Sequence, residues 1–314
     1  MNAARTVDAL LARIGPAWGD DIRTHRDLVL DAYTSLLDTT SAAGPACTRN
    51  VAYGPDPRHV LDIYRDPALA GPLPVVVFMH GGAYVRGDKD VTSRVYANVP
   101  TWFARQGYLG VNLEYRLAPG APYPGGAEDL GRALAWMEEN IGSHGGDPGR
   151  MVAIGHSAGG THVAHHALDP QLPYRGKGLR AAAILSGRLR ADALAANPNA
   201  AGVRAYFGND ESRYEALSPV SMVTPDALPL FVAIAEYENP LLDVYGAEFF
   251  HRLRARGHRA NQFLMLPRHN HMSIMAHFDT GEDFLGRQLC DFFERYGAPP
   301  NHAPRAMAPA LMAP

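Results

Sequence analysis

The sequence contains very little cysteine. Cys47 and Cys290 are the only two in 314 residues, and they lie far apart in the chain. A fold based on disulfides needs several paired cysteines, and a thiolate metal site needs cysteines at close spacing. The composition therefore argues against both, and we expect two reduced thiols with structural roles.

An excess of charge of either sign is lacking as well. The chain has 29 Lys and Arg against 32 Asp and Glu, a net charge of −3, and its basic residues form no run. Binding to nucleic acid relies on a basic patch, which this sequence does not provide. We therefore expect a small neutral or mildly polar substrate and no nucleic-acid partner, and we leave a homodimer open.

Long apolar runs are absent from the first residues, MNAARTVDALLARIGPAWGDD. A signal peptide or a membrane anchor requires a continuous apolar stretch, and charged residues interrupt this one. We expect a cytoplasmic protein that does not bind membranes. Leu10, Leu11 and Ile14 are spaced like one face of a helix, so residues 1–48 are predicted to be a helical segment and a candidate cap.

Apolar runs alternate with amphipathic stretches of helix length over most of the chain. The runs are PVVVFMH, YLGVNLEY, MVAIG, RAAAILSG, LPLFVAIAEY and NQFLMLP. Continuous Val, Ile and Leu runs are typical of parallel strands that are buried on both faces. We predict an α/β fold with a mostly parallel central sheet, an edge hairpin formed by VAYG and HVLDIYRD, and helices at 94–106, 128–140, 158–168, 241–256 and 282–296.

The same alternation predicts the domain organisation. Residues 49–297 are expected to form one catalytic domain with helices on both faces of its sheet. Residues 188–225 separate two strands without following the pattern, and they are predicted to be a cap insertion. The end of the chain, 298–314, is rich in Pro, Ala and Met and is predicted to be a disordered tail.

A serine framed by glycines follows the run MVAIG. Gly155, Ser157 and Gly159 form the pattern G-x-S-x-G between a predicted strand and a predicted helix. Small neighbours permit a tight turn that exposes the hydroxyl, and the helix N-terminus supplies amide hydrogens. Ser157 is therefore the predicted nucleophile, and a serine that merely caps the helix is the alternative.

A second glycine-rich turn follows the run PVVVFMH. Gly81, Gly82 and Ala83 come shortly after this run, and glycines allow backbone amides to approach a carbonyl oxygen closely. Together with the amide of Ala158, they are predicted to form an oxyanion hole. Read alone, the turn could be a flexible loop, but its combination with the Ser157 turn favours the oxyanion hole.

A serine nucleophile needs a base, and the base needs an orienting acid. Where the serine lies on a strand–turn–helix of an α/β fold, the chain order is Ser, acid, His. Glu238 follows the strand LPLFVAIAEY, and His271 follows the next strand, so these are the predicted acid and base. Asp243, one turn further on, is the rival acid, and His269 is the rival base.

Three histidines at helical spacing follow Ser157. His162, His165 and His166 could in principle gather a metal ion, which would indicate a metal-dependent hydrolase. No carboxylate accompanies them at matching spacing, so packed or surface histidines are the preferred interpretation. We predict no metal and no other cofactor.

These motifs together resemble the α/β-hydrolase superfamily, specifically the carboxylesterases related to hormone-sensitive lipase and the neighbouring feruloyl-esterase-like enzymes and kynurenine formamidases. The resemblance covers roughly residues 50–297 and rests on HGGAYVRGD, EYRLAPGAPYPGGAEDLGRALAW and GHSAGG. Three positions depart from the family pattern: Ala83 stands where a third glycine is usual, Tyr84 stands where the formamidases typically have Trp, and Glu238 stands where Asp is usual.

The resemblance implies an α/β-hydrolase fold with a small cap, and a serine carboxylesterase that cleaves small esters through an acyl-enzyme. Tyr84 and Tyr115, near strand ends, and His156, beside the nucleophile, are the candidate substrate-binding residues. Amide hydrolysis, as in an aryl formamidase, is the alternative that uses the same chemistry. A catalytically silent ligand-binding protein is the alternative from another class.

Overall fold

The computed structural model describes residues 3–40, 44–172 and 176–301, and its centre is one eight-stranded sheet. The strands are β1 (Ala46–Ala52), β2 (Val60–Arg65), β3 (Leu73–Met79), β4 (Leu109–Leu113), β5 (Gly146–His156), β6 (Leu179–Leu185), β7 (Leu230–Tyr237) and β8 (Asn261–Asn270). They lie in the order β1-β2-β4-β3-β5-β6-β7-β8.

The sheet is mostly parallel, as predicted. Only the pairs β1–β2 and β2–β4 are antiparallel, and β1 and β2 form the expected hairpin at one edge. All seven residues of β3 are buried, which explains why this strand is a continuous apolar run in the sequence. The carboxyl ends of the parallel strands share one edge of the sheet, where an open α/β fold places its ligands.

Ten helices surround the sheet within the described ranges. They are α1 (Ala3–Ile14), α2 (Ile22–Thr40), α3 (Asn98–Arg105), α4 (Gly125–Asn140), α5 (Ala158–Leu168), α6 (Ala200–Phe207), α7 (Tyr214–Leu217), α8 (Leu242–Ala255), α9 (Ser273–Ala276) and α10 (Phe284–Arg295). The five predicted helices correspond to α3, α4, α5, α8 and α10. The prediction of a helix from residue 94 was wrong by one turn, because Tyr96 has a left-handed backbone (φ 80°) that no α-helix contains.

Helices cover both faces of the sheet. Val76 and Phe78 of β3 belong to one apolar core, together with residues of α1, α2, α3 and α10. Val75 and Val77 belong to the opposite core, with residues of α4, α5 and α8. Successive side chains of a strand point to opposite faces, so one apolar strand serves two layers, and each fully buried large side chain contributes about 1.5–3 kcal/mol of burial energy.

The N-terminal segment packs beside the carboxyl end of the sheet. Val7 of α1 and Tyr33 of α2 are buried in the first core, and the indole nitrogen of Trp18 donates to Asn239 Oδ1 at 3.0 Å. Strand β1 already begins at Ala46, so the last residues of the predicted segment 1–48 belong to the sheet. The predicted cap insertion, 188–225, contains α6 and α7.

The chain after α10 continues onto the body of the protein. Ala298 is fully buried, and its carbonyl oxygen accepts a hydrogen bond from Tyr108 Oη at 3.2 Å. Asn301 Nδ2 donates to the carbonyl oxygen of Pro72 at 2.8 Å. The predicted start of the disordered tail, at residue 298, was therefore too early in the chain. The rest of the predicted tail, 302–314, lies outside the described residues.

Every helix in the described residues is too short or too polar to span a membrane.

Candidate active site

The glycines around Ser157 permit a strained turn between β5 and α5. Ser157 has a left-handed backbone (φ 55°), a conformation that is rare for residues other than glycine. A Cβ on Gly155 would collide with the carbonyl oxygen of Gly159, and a Cβ on Gly159 would collide with that of Met79. The serine side chain makes no capping hydrogen bond to the helix, which argues against the alternative of a helix cap.

Ser157, His271 and Glu238 form one hydrogen-bonded chain at the carboxyl end of the sheet. His271 Nε2 lies 3.0 Å from Ser157 Oγ, and His271 Nδ1 lies 2.7 Å from Glu238 Oε2. The imidazole and the carboxylate are both almost fully buried, with 6% and 2% of their side chains exposed. A carboxylate on Nδ1 fixes the tautomer in which Nε2 can accept the proton of the serine.

The carboxylate of Glu238 is held by further donors. Glu238 Oε1 accepts hydrogen bonds from the Ala235 amide at 2.9 Å and from the hydroxyl of Ser186. Ser186 directly follows β6, and its backbone is itself strained, with φ 52°. The sequence analysis did not find Ser186; its only signal was a polar residue at a strand end, in ILSG.

The rival acid and the rival base lie elsewhere. Asp243 is exposed in the first turn of α8. His269 is buried, but its Nε2 lies 2.8 Å from Glu282 Oε1 and its Nδ1 lies 3.1 Å from Ser273 Oγ. Ser157 therefore lies in one hydrogen-bonded chain with His271 and Glu238, and neither rival is part of that chain.

The glycine-rich turn after β3, which we call the oxyanion loop (residues 80–87), lies against Ser157. Ala83 has φ 50° and lines the same cavity as Ser157 and Ala158. The amide of Gly81 is directed elsewhere, since it donates to Tyr96 Oη at 3.3 Å. The predicted oxyanion role of Gly81 is therefore wrong for this geometry, and Gly82, Ala83 and Ala158 remain the candidate donors.

His156 connects the oxyanion loop with the loop that carries His271. Its Nε2 donates to the carbonyl oxygen of His271 at 2.8 Å, and its Nδ1 lies 3.1 Å from Tyr96 Oη. Burial, followed by the charge of His271, holds the pKa of His156 well below its usual range, so the ring is neutral. His156 is fully buried, which makes its predicted contact with substrate wrong and gives it a positioning role instead.

The two predicted pocket tyrosines differ in position. Tyr84 lines the cavity, its hydroxyl lies 3.1 Å from Thr161 Oγ1, and its ring stacks on Tyr206 of α6 at 4.7 Å between centroids. Tyr115 is fully buried and donates from its hydroxyl to the carbonyl oxygen of His80 at 2.8 Å. The predicted substrate contact of Tyr115 is therefore wrong, because its side chain packs in the core beneath the oxyanion loop.

A buried ion pair supports the oxyanion loop from below. His80 Nδ1 lies 2.7 Å from the carbonyl oxygen of Gly81, and its Nε2 lies 2.9 Å from Glu114 Oε1. Both ring nitrogens thus lie within hydrogen-bond distance of an oxygen atom, which fixes the ring beneath the loop. Glu114 also pairs with Arg58. The sequence analysis missed Glu114, because no local pattern indicates that a strand-end glutamate lies beneath a distant loop.

The three histidines after Ser157 have separate partners and are all buried. Burial lowers the pKa of His165 to about 4 and holds that of His162 well below its usual range, which keeps both rings neutral. Within residues 3–40, 44–172 and 176–301, no group of three His, Cys, Asp or Glu side chains is arranged to hold a metal ion. The partners are Tyr206 Oη for His162, the Leu217 carbonyl for His165 and the Ala127 carbonyl for His166.

The cavity above Ser157 is small, at about 10 Å³. This is roughly the space that one water molecule requires. Arg188 forms part of its wall, and the guanidinium is neutralised by the carboxylate of Asp192. The lining residues are Ala83, Tyr84, Ser157, Ala158, Arg188, Asn199, Asn239 and Leu242.

The chain is similar in sequence to several known esterases. Residues 61–171 match the family model described as BD-FAE. Esterase LipQ of Mycobacterium tuberculosis is 27% identical over 305 residues, covering 87% of this chain and 71% of LipQ. Carboxylesterase NlhH of the same organism is 41% identical over 104 residues, which cover 32% of this chain and 30% of NlhH.

A solved structure shows the same fold. The hyperthermophilic esterase from Pyrobaculum calidifontis superposes with a TM-score of 0.69 at 21% identity, over 88% of this chain and 94% of the esterase. The predicted α/β-hydrolase fold and the carboxylesterase resemblance are thereby confirmed. The chain therefore has the α/β-hydrolase fold, and its sequence resembles those of carboxylesterase-type hydrolases.

Proposed function

We propose that the protein hydrolyses small carboxylic esters through an acyl-enzyme, with Ser157 as nucleophile, His271 as general base and Glu238 as orienting acid. The observation that carries this proposal is the continuous chain from Ser157 Oγ to His271 Nε2, at 3.0 Å, and from His271 Nδ1 to Glu238 Oε2, at 2.7 Å. Such a chain activates a serine hydroxyl that is otherwise a weak nucleophile.

The reaction proceeds in two halves. In the first, Ser157 Oγ attacks the ester carbonyl while His271 takes its proton, and the alcohol leaves with that proton. In the second, His271 removes a proton from water, which attacks the acyl group on Ser157. The bond to Ser157 Oγ then breaks, His271 returns the proton to Oγ, and the acid is released. Glu238 stabilises the imidazolium that forms in each half. The amides of Gly82, Ala83 and Ala158 are the proposed donors to the oxyanion, each worth about 3–4 kcal/mol of barrier.

The small cavity supports a short acyl group. A space of about 10 Å³ beside Ser157, roughly that of one water molecule, favours the shortest acyl chains, whose terminal group is about methyl-sized. Tyr84, stacked on Tyr206 of the cap, closes one side of this space. We therefore propose acetyl esters as the first substrates to examine.

The test measures the release of p-nitrophenol from p-nitrophenyl acetate by the wild type and by Ser157→Ala, each with and without EDTA. The proposal expects turnover by the wild type alone, independent of EDTA. Activity that survives Ser157→Ala but disappears with EDTA would refute it in favour of metal-dependent hydrolysis. A parallel assay with formanilide tests the amide alternative, for which a turnover comparable to that of the ester would be required.

A further inference from the structure

One arginine lines the cavity that contains Ser157, and a second bonds to a residue of its wall. Arg188 lines the cavity itself, and Arg86 of the oxyanion loop bonds to Asn199, which also lines it. The positive charge of Arg26, in α2, lies close enough to Arg86 to lower the pKa of the Arg86 guanidinium. Arg26 is itself paired with Asp27 at 2.7 Å, so Arg86 is the arginine of this group that has no carboxylate partner in the described residues. Positive charge around a cleft attracts negatively charged ligands.

Arg188 does not provide free charge for a ligand. Its guanidinium is paired with the carboxylate of Asp192 and donates to Asn197 Oδ1 at 3.1 Å, and only 5% of the residue is exposed. Tyr245 Oη donates to the same carboxylate of Asp192 at 3.2 Å. The charge of Arg188 is therefore balanced by the carboxylate of Asp192, and the residue forms part of the cavity wall without offering net charge to a ligand.

Arg86 differs from Arg188 in its surroundings. It is exposed, and its Nη2 donates to a neutral acceptor, Asn199 Oδ1, at 3.0 Å. In the described part of the chain, no carboxylate pairs with it or contributes to its electrostatics. Partial desolvation of the guanidinium and the like charge of Arg26 lower the pKa of Arg86, although a guanidinium remains protonated at any ordinary pH. The guanidinium thus retains unused donors beside Asn199, a residue of the cavity wall.

The position of Arg86 is fixed relative to the proposed oxyanion donors. Its amide donates to the carbonyl oxygen of Gly82 at 3.1 Å, and its own carbonyl oxygen occupies the space in which a Cβ of Gly82 would lie. On the other side of the loop, Gly202 of α6 packs directly against the carbonyl oxygen of Ala83. A guanidinium on this loop therefore has a defined position relative to a bound ester.

We propose that Arg86 recognises a carboxylate on the alcohol part of the substrate, so that the substrate class is short-chain acyl esters of hydroxy acids. The inference rests on the proposed esterase function. The charged group is assigned to the alcohol part because the cavity beside Ser157 holds only a small acyl group. A guanidinium binds a carboxylate through parallel N–H donors, which gives direction as well as affinity.

The experiment compares two acetyl esters that differ in one charge, 4-acetoxybenzoate and its methyl ester. The quantity measured is the ratio of kcat/KM for the anionic ester to that for the neutral ester. Charge-assisted hydrogen bonds contribute enough that Arg86→Met is expected to lower this ratio about 10- to 100-fold. Arg86→Lys, which keeps the charge without the planar fork, is expected to retain part of the preference.

The control variant is Arg259→Met, which removes an exposed arginine just before β8, at the opposite end of the sheet from Ser157. It is expected to leave the ratio unchanged. Added salt is expected to reduce kcat/KM of the wild type for the anionic ester more than for the neutral one. If Arg86→Met does not fold, competitive inhibition of the wild type by 4-hydroxybenzoate, compared with methyl 4-hydroxybenzoate, provides the same comparison, and stronger inhibition by the anion is expected.

The outcomes separate the two proposals. If the wild type hydrolyses neither ester, the proposed function fails, and this inference fails with it. If the wild type hydrolyses both esters but Arg86→Met lowers both rates equally, Arg86 only holds the cap against the oxyanion loop, and the inference alone is overturned. Equal inhibition by the two hydroxybenzoates, with no effect of salt, would overturn it in the same way.

Discussion

The imidazole of His156 donates from Nε2 to the carbonyl oxygen of His271, at 2.8 Å. Because Nε2 carries the proton, Nδ1 accepts from Tyr96 Oη, and the same hydroxyl accepts from the Gly81 amide. One continuous relay therefore joins the loop of the candidate base to the oxyanion loop. Two parts of the site that lie far apart in the sequence are positioned relative to each other by two buried side chains.

Breaking this relay should reduce both the activity and the stability of the protein. Tyr96→Phe leaves the Gly81 amide and His156 Nδ1 without their partner, and we expect a loss of about 1–3 kcal/mol in the free energy of unfolding. Misplacement of the oxyanion loop is expected to lower kcat by about 10-fold or more. Ester kinetics and urea unfolding measure the two effects.

The matched control is Tyr108→Phe, which also removes a buried tyrosine hydroxyl, one that donates to the Ala298 carbonyl away from Ser157. It should lose stability without a comparable loss of kcat. Equal kcat for Tyr96→Phe and Tyr108→Phe would show that the relay has no part in catalysis.

Ser186 is expected to act on the triad through Glu238. Its hydroxyl bonds to the Glu238 oxygen that does not contact His271. Ser186→Ala removes one charge-assisted hydrogen bond, worth about 1.5–3 kcal/mol, so we expect kcat to fall about 10-fold with little change in KM. The control, Ser218→Ala, removes another buried hydroxyl, bonded to the Tyr214 carbonyl. A rise in KM with unchanged kcat in Ser186→Ala would contradict the positioning role.

The turn at Ser157 should not tolerate a side chain at Gly159. An added methyl group would collide with the carbonyl oxygens of Met79 and His80, which are backbone atoms of β3 and the oxyanion loop. Gly159→Ala is expected to cost roughly 1–3 kcal/mol of stability by overpacking and to lower kcat more than 100-fold. Gly142→Ala is the control, since nothing lies within 4 Å of its added Cβ. Normal kinetics for Gly159→Ala would show that the turn is looser than described.

Buried neutral histidines should make the fold sensitive to acid. Burial lowers the pKa of His165 and of His277 to about 4, and it holds those of His156 and His162 well below their usual range. Between about pH 6.5 and 4 the unfolded chain binds protons at these positions and the folded chain does not, so stability falls as pH falls. Asp279, whose pKa burial raises to about 6, opposes this trend as a single group.

Urea unfolding at pH 7.5 and pH 5 measures this dependence. Each such histidine accounts for about 1.4 kcal/mol per pH unit within that window. His165→Gln, which retains a donor for the Leu217 carbonyl, should reduce the loss of stability on acidification. An unchanged pH dependence in this variant would mean that His165 is already protonated in the folded state.

The parts of the site that were predictable from sequence are those that local rules determine. The buried parallel strands form continuous apolar runs, and the turn at Ser157 requires glycines at fixed offsets, so both leave a signal in a short window. The order of Ser157, Glu238 and His271 along the chain follows from the fold, which placed the acid and the base at two strand ends.

The parts that were missed depend on contacts between distant segments. Ser186 and Glu114 support the site from other strand ends, and no local pattern connects them with the residues that they hold. Tyr115 follows a strand end, which suggested a pocket position, but its side chain points beneath the oxyanion loop. The left-handed backbone at Tyr96 could not be predicted from the sequence either, because the position is not a glycine and tertiary contacts hold this conformation.

The most direct test of the central claim is to detect the acyl group on the enzyme. The wild type and Glu238→Gln are mixed with p-nitrophenyl acetate, quenched in acid during turnover, and analysed by peptide mass spectrometry. The account predicts one acetyl group on the peptide that contains Ser157, none in Ser157→Ala, and slower acetylation in Glu238→Gln, where the imidazolium is less well stabilised. Turnover of the ester by Ser157→Ala at the wild-type rate, with no acetyl group on Ser157 in the wild type, would contradict it.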